Sequence, residues 1–320
     1  MEHTHTLPSR TPKGEFPPPV IIPPLQQPHQ HTIIFLHGRG SNAAKFHGPL
    51  LQTLLDEHQK TLRDAFPTTR FVFPTAPMSR ATKYARMLIH QWFDGSGEWE
   101  RAAARGGMRP TMEYMGRLVR REIQILGGHA RGVVLAGLSQ GCATALMSVL
   151  LRVWGGEPLG AVVGLCGYMP ICSHLLAVFD GAFGQEHAAE DGGSVRDEGE
   201  EDVFERGEDE NLTARSPAQR VLDALLDETE LLGDVDEPLC SGLGSVPSTP
   251  VFLGHGTLDP QVPVSQAFLA ARLLRKMGMA VELRTYEGLG HWYGREMLCH
   301  MVSFLHRHLT RKGSTIWGGK

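Results

Sequence analysis

Val133-Val134-Leu135-Ala136-Gly137-Leu138-Ser139-Gln140-Gly141-Cys142 decides the fold of this 320-residue chain. Its first four residues are an apolar run of strand length, and Cys142–Val153 beyond the glycines reads as a helix. Between them, Gly137-Leu138-Ser139-Gln140-Gly141 matches the pattern G-x-S-x-G. At this composition about 0.2 matches are expected by chance, so the pentapeptide alone is weak. Its context is strong. Strand, sharp turn and helix in succession hold a serine exposed on a strained backbone, where only glycine lets the chain pack closely. The bland alternative is an ordinary Gly-rich strand–helix loop.

Outward from this stretch the chain alternates. Thr32–Leu36, Arg70–Phe73, Gly132–Ala136, Ala161–Leu165, Pro250–Leu253 and Val281–Tyr286 read as strands. They are apolar almost throughout, as expected of strands covered on both faces. Helical spacing fills the gaps: Met115 to Leu126 before Gly127-Gly128, Leu269, Leu273 and Met277 before Gly278, and Met297 to Leu305 near the end. This alternation predicts an α/β fold with a mainly parallel sheet flanked by helices on both faces.

Three segments stand outside the pattern. Residues 1–30 form a Pro-rich arm, with eight prolines between 7 and 30 and no helical period, and are expected to be unordered. Residues 174–248 form a large insertion between two strands of the 31–310 domain. Within it, 184–210 is acidic and poor in core formers, and is expected to be disordered. Ser216-Pro217-Ala218-Gln219 then reads as a capping box with Pro at the first helical position. The helix it starts, over 216–232, carries an apolar stripe. It is expected either as a lid on the site or docked on the outer surface. Residues 311–320 are a C-terminal tail.

Composition excludes several classes. The net charge is −4, but Glu186–Glu210 alone holds twelve acidic and two basic residues, leaving the remainder at +6. That is too mild for a nucleic-acid partner. No run approaches the ~18 apolar residues of a membrane span, so no stable membrane insertion is expected. The first residues, Met1-Glu2-His3-Thr4-His5, show no basic and apolar pattern, so no secretory signal is expected. Five cysteines (Cys142, Cys166, Cys172, Cys240, Cys299) without a C-x-x-C pair fit reduced thiols, and a cytoplasmic location is expected. His3, His5, His29 and His31 lack partner ligands at metal-binding spacing, and His300, His306 and His308 fall on the last helix, so no metal is expected.

A serine hydroxyl needs a base to take its proton. On a fold of this kind the partners follow in the order serine, acid, histidine, each after a strand. Val251-Phe252-Leu253 leads into Gly254-His255-Gly256-Thr257-Leu258-Asp259-Pro260, and Val281–Tyr286 leads into Glu287-Gly288-Leu289-Gly290-His291-Trp292. Asp259 and His291 therefore complete a triad with Ser139. His255 reads as a structural turn residue, Asp94 precedes the serine, and Glu287 ends its strand facing solvent. An acyl transition state also needs two N–H donors for its oxyanion. Gln140, after the serine, supplies one. The loop Leu36-His37-Gly38-Arg39-Gly40 has the glycines to supply another.

These blocks, with Gln91-Trp92-Phe93-Asp94, His255 to Pro263 and Tyr286 to His291, resemble in order those of the phospholipase/carboxylesterase family, which includes acyl-protein thioesterases. The resemblance spans roughly 31–173 and 249–309. It implies an α/β-hydrolase fold with a large insertion before the acid strand, no cofactor, a triad of Ser139, Asp259 and His291, and oxyanion amides at Arg39 and Gln140. The chain departs from the family at Arg39, usually apolar, at Ser41, usually Asp, at Cys142, usually Gly, and in the insertion.

The expected activity is hydrolysis of carboxylic esters or thioesters, on a small molecule or an acyl-protein, through an acyl-enzyme. Alternatives are a catalytically silent binding protein on the same fold, or a lactonase or peptidase. Trp92, Phe93, Tyr168, Met169 and Trp292 are candidates for lining the acyl pocket, with core packing as the competing role.

Overall fold

The structure, a computed structural model, describes residues 14–95, 107–181, 215–228 and 248–309. Nine strands occur among them: β1 (Val20–Ile22), β2 (His31–Leu36), β3 (Thr69–Phe73), β4 (Met78–Ala81), β5 (Met87–His90), β6 (Val133–Leu138), β7 (Ala161–Leu165), β8 (Val251–Gly256) and β9 (Val281–Tyr286). Eight helices accompany them: α1 (Ala43–Gln52), α2 (Leu62–Ala65), α3 (Met108–Ile125), α4 (Gln140–Leu150), α5 (Cys172–Asp180), α6 (Pro217–Glu228), α7 (Val264–Lys276) and α8 (Arg295–Leu309).

Seven strands form one sheet in the order β1-β3-β2-β6-β7-β8-β9, parallel except for β1, while β4 and β5 form a separate antiparallel hairpin. The apolar runs explain the central strands. Every residue of β6, β7 and β8 is buried. One face carries a core of α3, α4, α5, α6 and α7 residues, and the other a core of α1, α2 and α8 residues. The outermost strand β9 is half-exposed and carries a Glu282–Arg284 ion pair, charges that blunt an open edge.

After β2 the chain goes to one side for β3, then returns to the other side for β6. The crevice outside the strands' carboxyl ends at such a switch point is where ligands bind in sheets of this type. Register brings the relevant ends level: Leu36 pairs with Gly137, and Leu138 with Leu165.

The arm departs from expectation. Residues 1–13 lie outside the described residues, as do 184–210 and 311–320, but Val20–Ile22 is a strand paired antiparallel to β3. Three consecutive β-branched or aliphatic residues override the prolines around them, which an edge position tolerates. Helix α1 is a further element that the sequence reading does not include. Pro49 lies inside the helix, yet Phe46, Leu50 and Leu51 are buried and hold it, and Asn42 caps it by accepting from the Lys45 N–H at 2.9 Å.

The inserted helix α6 has the predicted capping box. Ser216 N–H donates to Gln219 Oε1 at 3.0 Å, and Gln219 N–H to Ser216 Oγ at 3.3 Å. Val221, Leu222, Leu225 and Leu226 are buried against the α5 side of the core. Arg220 donates to the carbonyls of Val178 (3.4 Å) and Phe179 (3.2 Å), capping the carboxyl end of α5. Residues 229–232 lie outside the described residues. Among the described residues no helix is long and apolar enough to cross a membrane.

Candidate active site

Ser139 sits between β6 and α4 with φ 56° and ψ −119°, a conformation an L-residue rarely adopts. The glycines on either side make it possible. A Cβ on Gly137 would lie 2.2 Å from the Gly141 backbone, and one on Gly141 would lie 2.5 Å from the Leu36 carbonyl. The turn is tied down by Ser139 N–H donating to the Leu165 carbonyl at 2.8 Å. This is the sharp elbow that the sequence predicts.

The loops after β8 and β9 meet it. His291 Nε2 lies 2.9 Å from Ser139 Oγ, and His291 Nδ1 lies 2.7 Å from Asp259 Oδ2. With Nδ1–H donating to the carboxylate, Nε2 is left as the acceptor facing the serine hydroxyl. The Asp259 side chain is fully buried, and its Oδ1 accepts from the amides of Gln261 (2.8 Å) and Val262 (2.9 Å). Such a chain can accept a proton from the serine and stabilise the imidazolium that results.

His255, set aside above as a turn residue, touches the acid. Its Nε2 donates to the Val262 carbonyl at 2.8 Å and lies 3.3 Å from Asp259 Oδ2. Burial pushes its pKa below the ordinary value, partly offset by the Val262 carbonyl and Asp259. The ring is a neutral brace for the acid loop. Cys166 braces the histidine loop, its thiol donating to the Trp292 carbonyl at 3.3 Å, and burial pushes its pKa up to about 12.

The loops that carry Arg39 and Gln140 share one support. His37 is fully buried. Its Nδ1–H donates to the Gly38 carbonyl at 2.7 Å, and its Nε2 accepts from the Ala76 amide at 3.0 Å. Burial pushes its pKa down to about 4. Trp92 Nε1–H donates to the His37 carbonyl at 2.8 Å. The Trp92 amide donates to Gln140 Oε1 at 3.0 Å, and Gln140 Nε2 donates to the Phe93 carbonyl at 2.7 Å. Trp92 and Phe93 therefore clamp the loops of Arg39 and Gln140 together from behind.

A cavity of about 210 Å³ opens above Ser139. Of the five residues expected to line it, Tyr168 and Trp292 do, and Trp92, Phe93 and Met169 do not. Those three are 1%, 4% and 0% exposed and belong to the core. The sequence marks an aromatic near the site but not which way it points. Phe46, Lys83 and Tyr84 line the cavity and were not anticipated. Lys83 and Tyr84 arrive on the β4–β5 hairpin, whose short, mixed sequence carries no clear period. No residue of α6 lines the cavity, so of the two expected placements, over the site or docked away from it, the second holds for 217–228, which form a layer of the core. Arg39 and Gln140 both line it. Asp94 accepts from the Thr82 amide at 2.9 Å, bracing the hairpin.

A phospholipase/carboxylesterase family profile matches residues 18–180, which include the Arg39 loop, the Trp92 clamp and the elbow. A prolyl oligopeptidase family profile matches residues 239–312. The chain is 32% identical over 163 residues to an acyl-protein thioesterase 1 of Yarrowia lipolytica, covering 50% of this chain and 67% of that one. It is 25% identical over 289 residues to an acyl-protein thioesterase 1 of Saccharomyces cerevisiae, covering 89% and 95%. The crystal structure of Zea mays acyl-protein thioesterase 2 is similar with a TM-score of 0.56 at 20% identity, covering 91% and 98%, and shares the α/β-hydrolase fold. With the family profile running from the first strand through the elbow, and the sheet order and switch point as described, the chain belongs to the phospholipase/carboxylesterase family.

Proposed function

We propose that the protein hydrolyses carboxylic esters and thioesters through an acyl-enzyme on Ser139. The observation that carries this reading is the unbroken chain from Ser139 Oγ through His291 to the buried Asp259 carboxylate, at 2.9 and 2.7 Å. Ser139 Oγ bonds to the acyl carbon as its proton passes to His291 Nε2, and the amides of Arg39 and Gln140 take the oxyanion. His291 returns the proton to the leaving alcohol or thiol. Water then attacks the acyl-serine, giving its proton to His291, and the acid departs as Ser139 recovers a proton. A cytoplasmic setting is part of the same reading, supported by four free cysteines among the described residues. The names of the relatives favour thioesters of an acylated protein, and the family's name favours carboxylic esters.

A fluorophosphonate probe tests the nucleophile. Wild type is expected to label stoichiometrically and Ser139→Ala not at all. Equal labelling of both proteins rejects the site, and no labelling of either favours a silent binding protein. The prolyl oligopeptidase profile over the acid and histidine segment is the one observation favouring a peptidase. A panel of p-nitrophenyl esters, thioesters and peptide anilides separates these, with turnover expected on the first two.

A further inference from the structure

A ring of hydrogen bonds closes behind the Arg39 loop. His37 Nδ1–H donates to the Gly38 carbonyl at 2.7 Å, and the Ala76 amide donates to His37 Nε2 at 3.0 Å. His90 Nδ1–H donates to the Ala76 carbonyl at 2.7 Å, and the Gly40 amide donates to the His90 carbonyl at 2.8 Å. The ring starts and ends on the loop after β2, passing through the segment after β3 and the last residue of β5. We propose that His37 and His90 are positioning residues that fix the peptide unit between Gly38 and Arg39, so that the Arg39 amide faces the reacting carbonyl. The proposal rests on the hydrolase reading above and adds to it two side chains that act through the backbone.

The direction of this one peptide is set from behind. Gly38 C=O and Arg39 N–H belong to the same planar trans unit, so they point in opposite directions. The Gly38 carbonyl accepts from His37 Nδ1–H and from the Ser41 amide at 3.2 Å, which uses both of its lone pairs. His37 is fully buried, whereas Gly38 and Arg39 line the cavity, so the amide at the other end of the unit is turned toward the cavity. A Cβ on Gly38 would lie 3.4 Å from the Ser139 Cβ, so the unit stands beside the nucleophile. Reversing the peptide would strand a buried N–H on His37 and aim a carbonyl oxygen at the developing oxyanion. The tautomer is fixed as well. Because the Ala76 amide occupies Nε2, the single proton of the neutral ring sits on Nδ1. Trp92 holds the ring from the side, with 5.0 Å between ring centres. Donation to the Gly38 carbonyl also polarises the peptide, which strengthens the Arg39 N–H as a donor. His90 enters by holding Ala76, whose amide in turn holds His37.

Paired substitutions separate orientation from packing. His37→Asn keeps an N–H donor near the place of Nδ1, and His37→Leu removes it. On p-nitrophenyl acetate, kcat is expected to fall at least about tenfold in His37→Leu with KM within about twofold of wild type, because a misplaced oxyanion donor is felt in the transition state. His37→Asn is expected to recover most of that loss. His90 is only partly buried, and His90→Leu and His90→Asn are expected to follow the same order with smaller losses. Trifluoromethyl hexyl ketone reads the Arg39 amide directly. Ser139 Oγ bonds to its carbonyl carbon, the hydroxyl proton passes to His291 Nε2, and the carbonyl oxygen becomes the oxyanion. Its inhibition constant is expected to rise at least about tenfold in His37→Leu, while methyl hexyl ketone, which stays a ketone, binds as to wild type. In wild type, imidazole nitrogen NMR is expected to find the His37 proton on Nδ1. Equal kcat losses in the Leu and Asn variants, an unchanged ratio between the two ketones, or a His37 proton on Nε2 overturns the proposal. If His37→Leu does not fold, the His90 pair and the wild-type spectrum decide it. Absence of fluorophosphonate labelling in wild type strikes instead at the hydrolase reading beneath it.

Discussion

Gln140 has two tasks, and they explain why a glutamine follows the serine. Its amide begins α4 beside Ser139, and its side chain joins the Trp92 amide to the Phe93 carbonyl. Gln140→Leu leaves a buried donor and a buried acceptor unpaired, each costing about 1–3 kcal/mol. Urea unfolding is expected to show a loss of at least about 2 kcal/mol, and an unchanged midpoint would remove the clamp from the argument. At Ser139 the expectation is kinetic. Ser139→Ala should lower kcat on the order of 10³-fold or more, and His291→Ala added to it should cost little further, because the residues act as a unit. Multiplicative losses in the double variant would argue that the two act separately. These residues were legible in sequence because each follows a strand in the expected order. His255 was legible only as a turn residue, since nothing in Gly254-His255-Gly256 says that its ring meets the acid four residues on.

Among the elements, the loops that carry Asp259 and His291 are held by backbone contact as much as by side chains. A Cβ on Gly256 would come within 2.1 Å of the Leu289 carbonyl, in the loop that carries His291. Gly256→Ala must therefore push that loop away from β8. We expect kcat to fall by about 10²-fold or more, since a displacement near 1 Å in a catalytic group has effects of this size. Activity within a factor of two of wild type would show that the loop can yield. Helix α6 gives the opposite expectation. Leu225 is fully buried in the core with α5, away from the cavity, so Leu225→Ala should cost about 2–5 kcal/mol of stability. The preference among acyl chain lengths should stay as in wild type. A changed chain-length profile in a folded variant would return α6 to the role of a lid.

For the whole molecule, the buried histidines couple folding to pH. His37 titrates near 4 when folded and near 6.5 when exposed, so below pH 6.5 the unfolded chain binds a proton that the folded chain does not. Stability from this group is full above about pH 6.5, falls as pH drops, and is lost near pH 4. By pH 5 the loss is on the order of 2 kcal/mol. His255 is shifted in the same direction by burial and adds to the trend. Urea midpoints at pH 7 and pH 5 measure it, and equal stability at the two values would contradict a buried neutral His37.

The sequence alone determined the parallel sheet, the elbow and the order in which Ser139, Asp259 and His291 follow their strands. Those follow from local rules: runs long enough to be strands, glycines where a Cβ cannot fit, and loops at strand ends. It also placed the capping box of α6 correctly. The tertiary structure decided where side chains with no local signature point. Trp92 and Phe93 turned inward to hold Gln140, α6 covered α5 rather than the site, and Val20–Ile22 found the open edge of β3. It also decided that Arg39 and Lys83, 44 positions apart in the chain, share one cavity. Sequence periodicity tells which face of an element is apolar, but the partner that covers that face is chosen by contacts between segments far apart in the chain, and no local pattern encodes it.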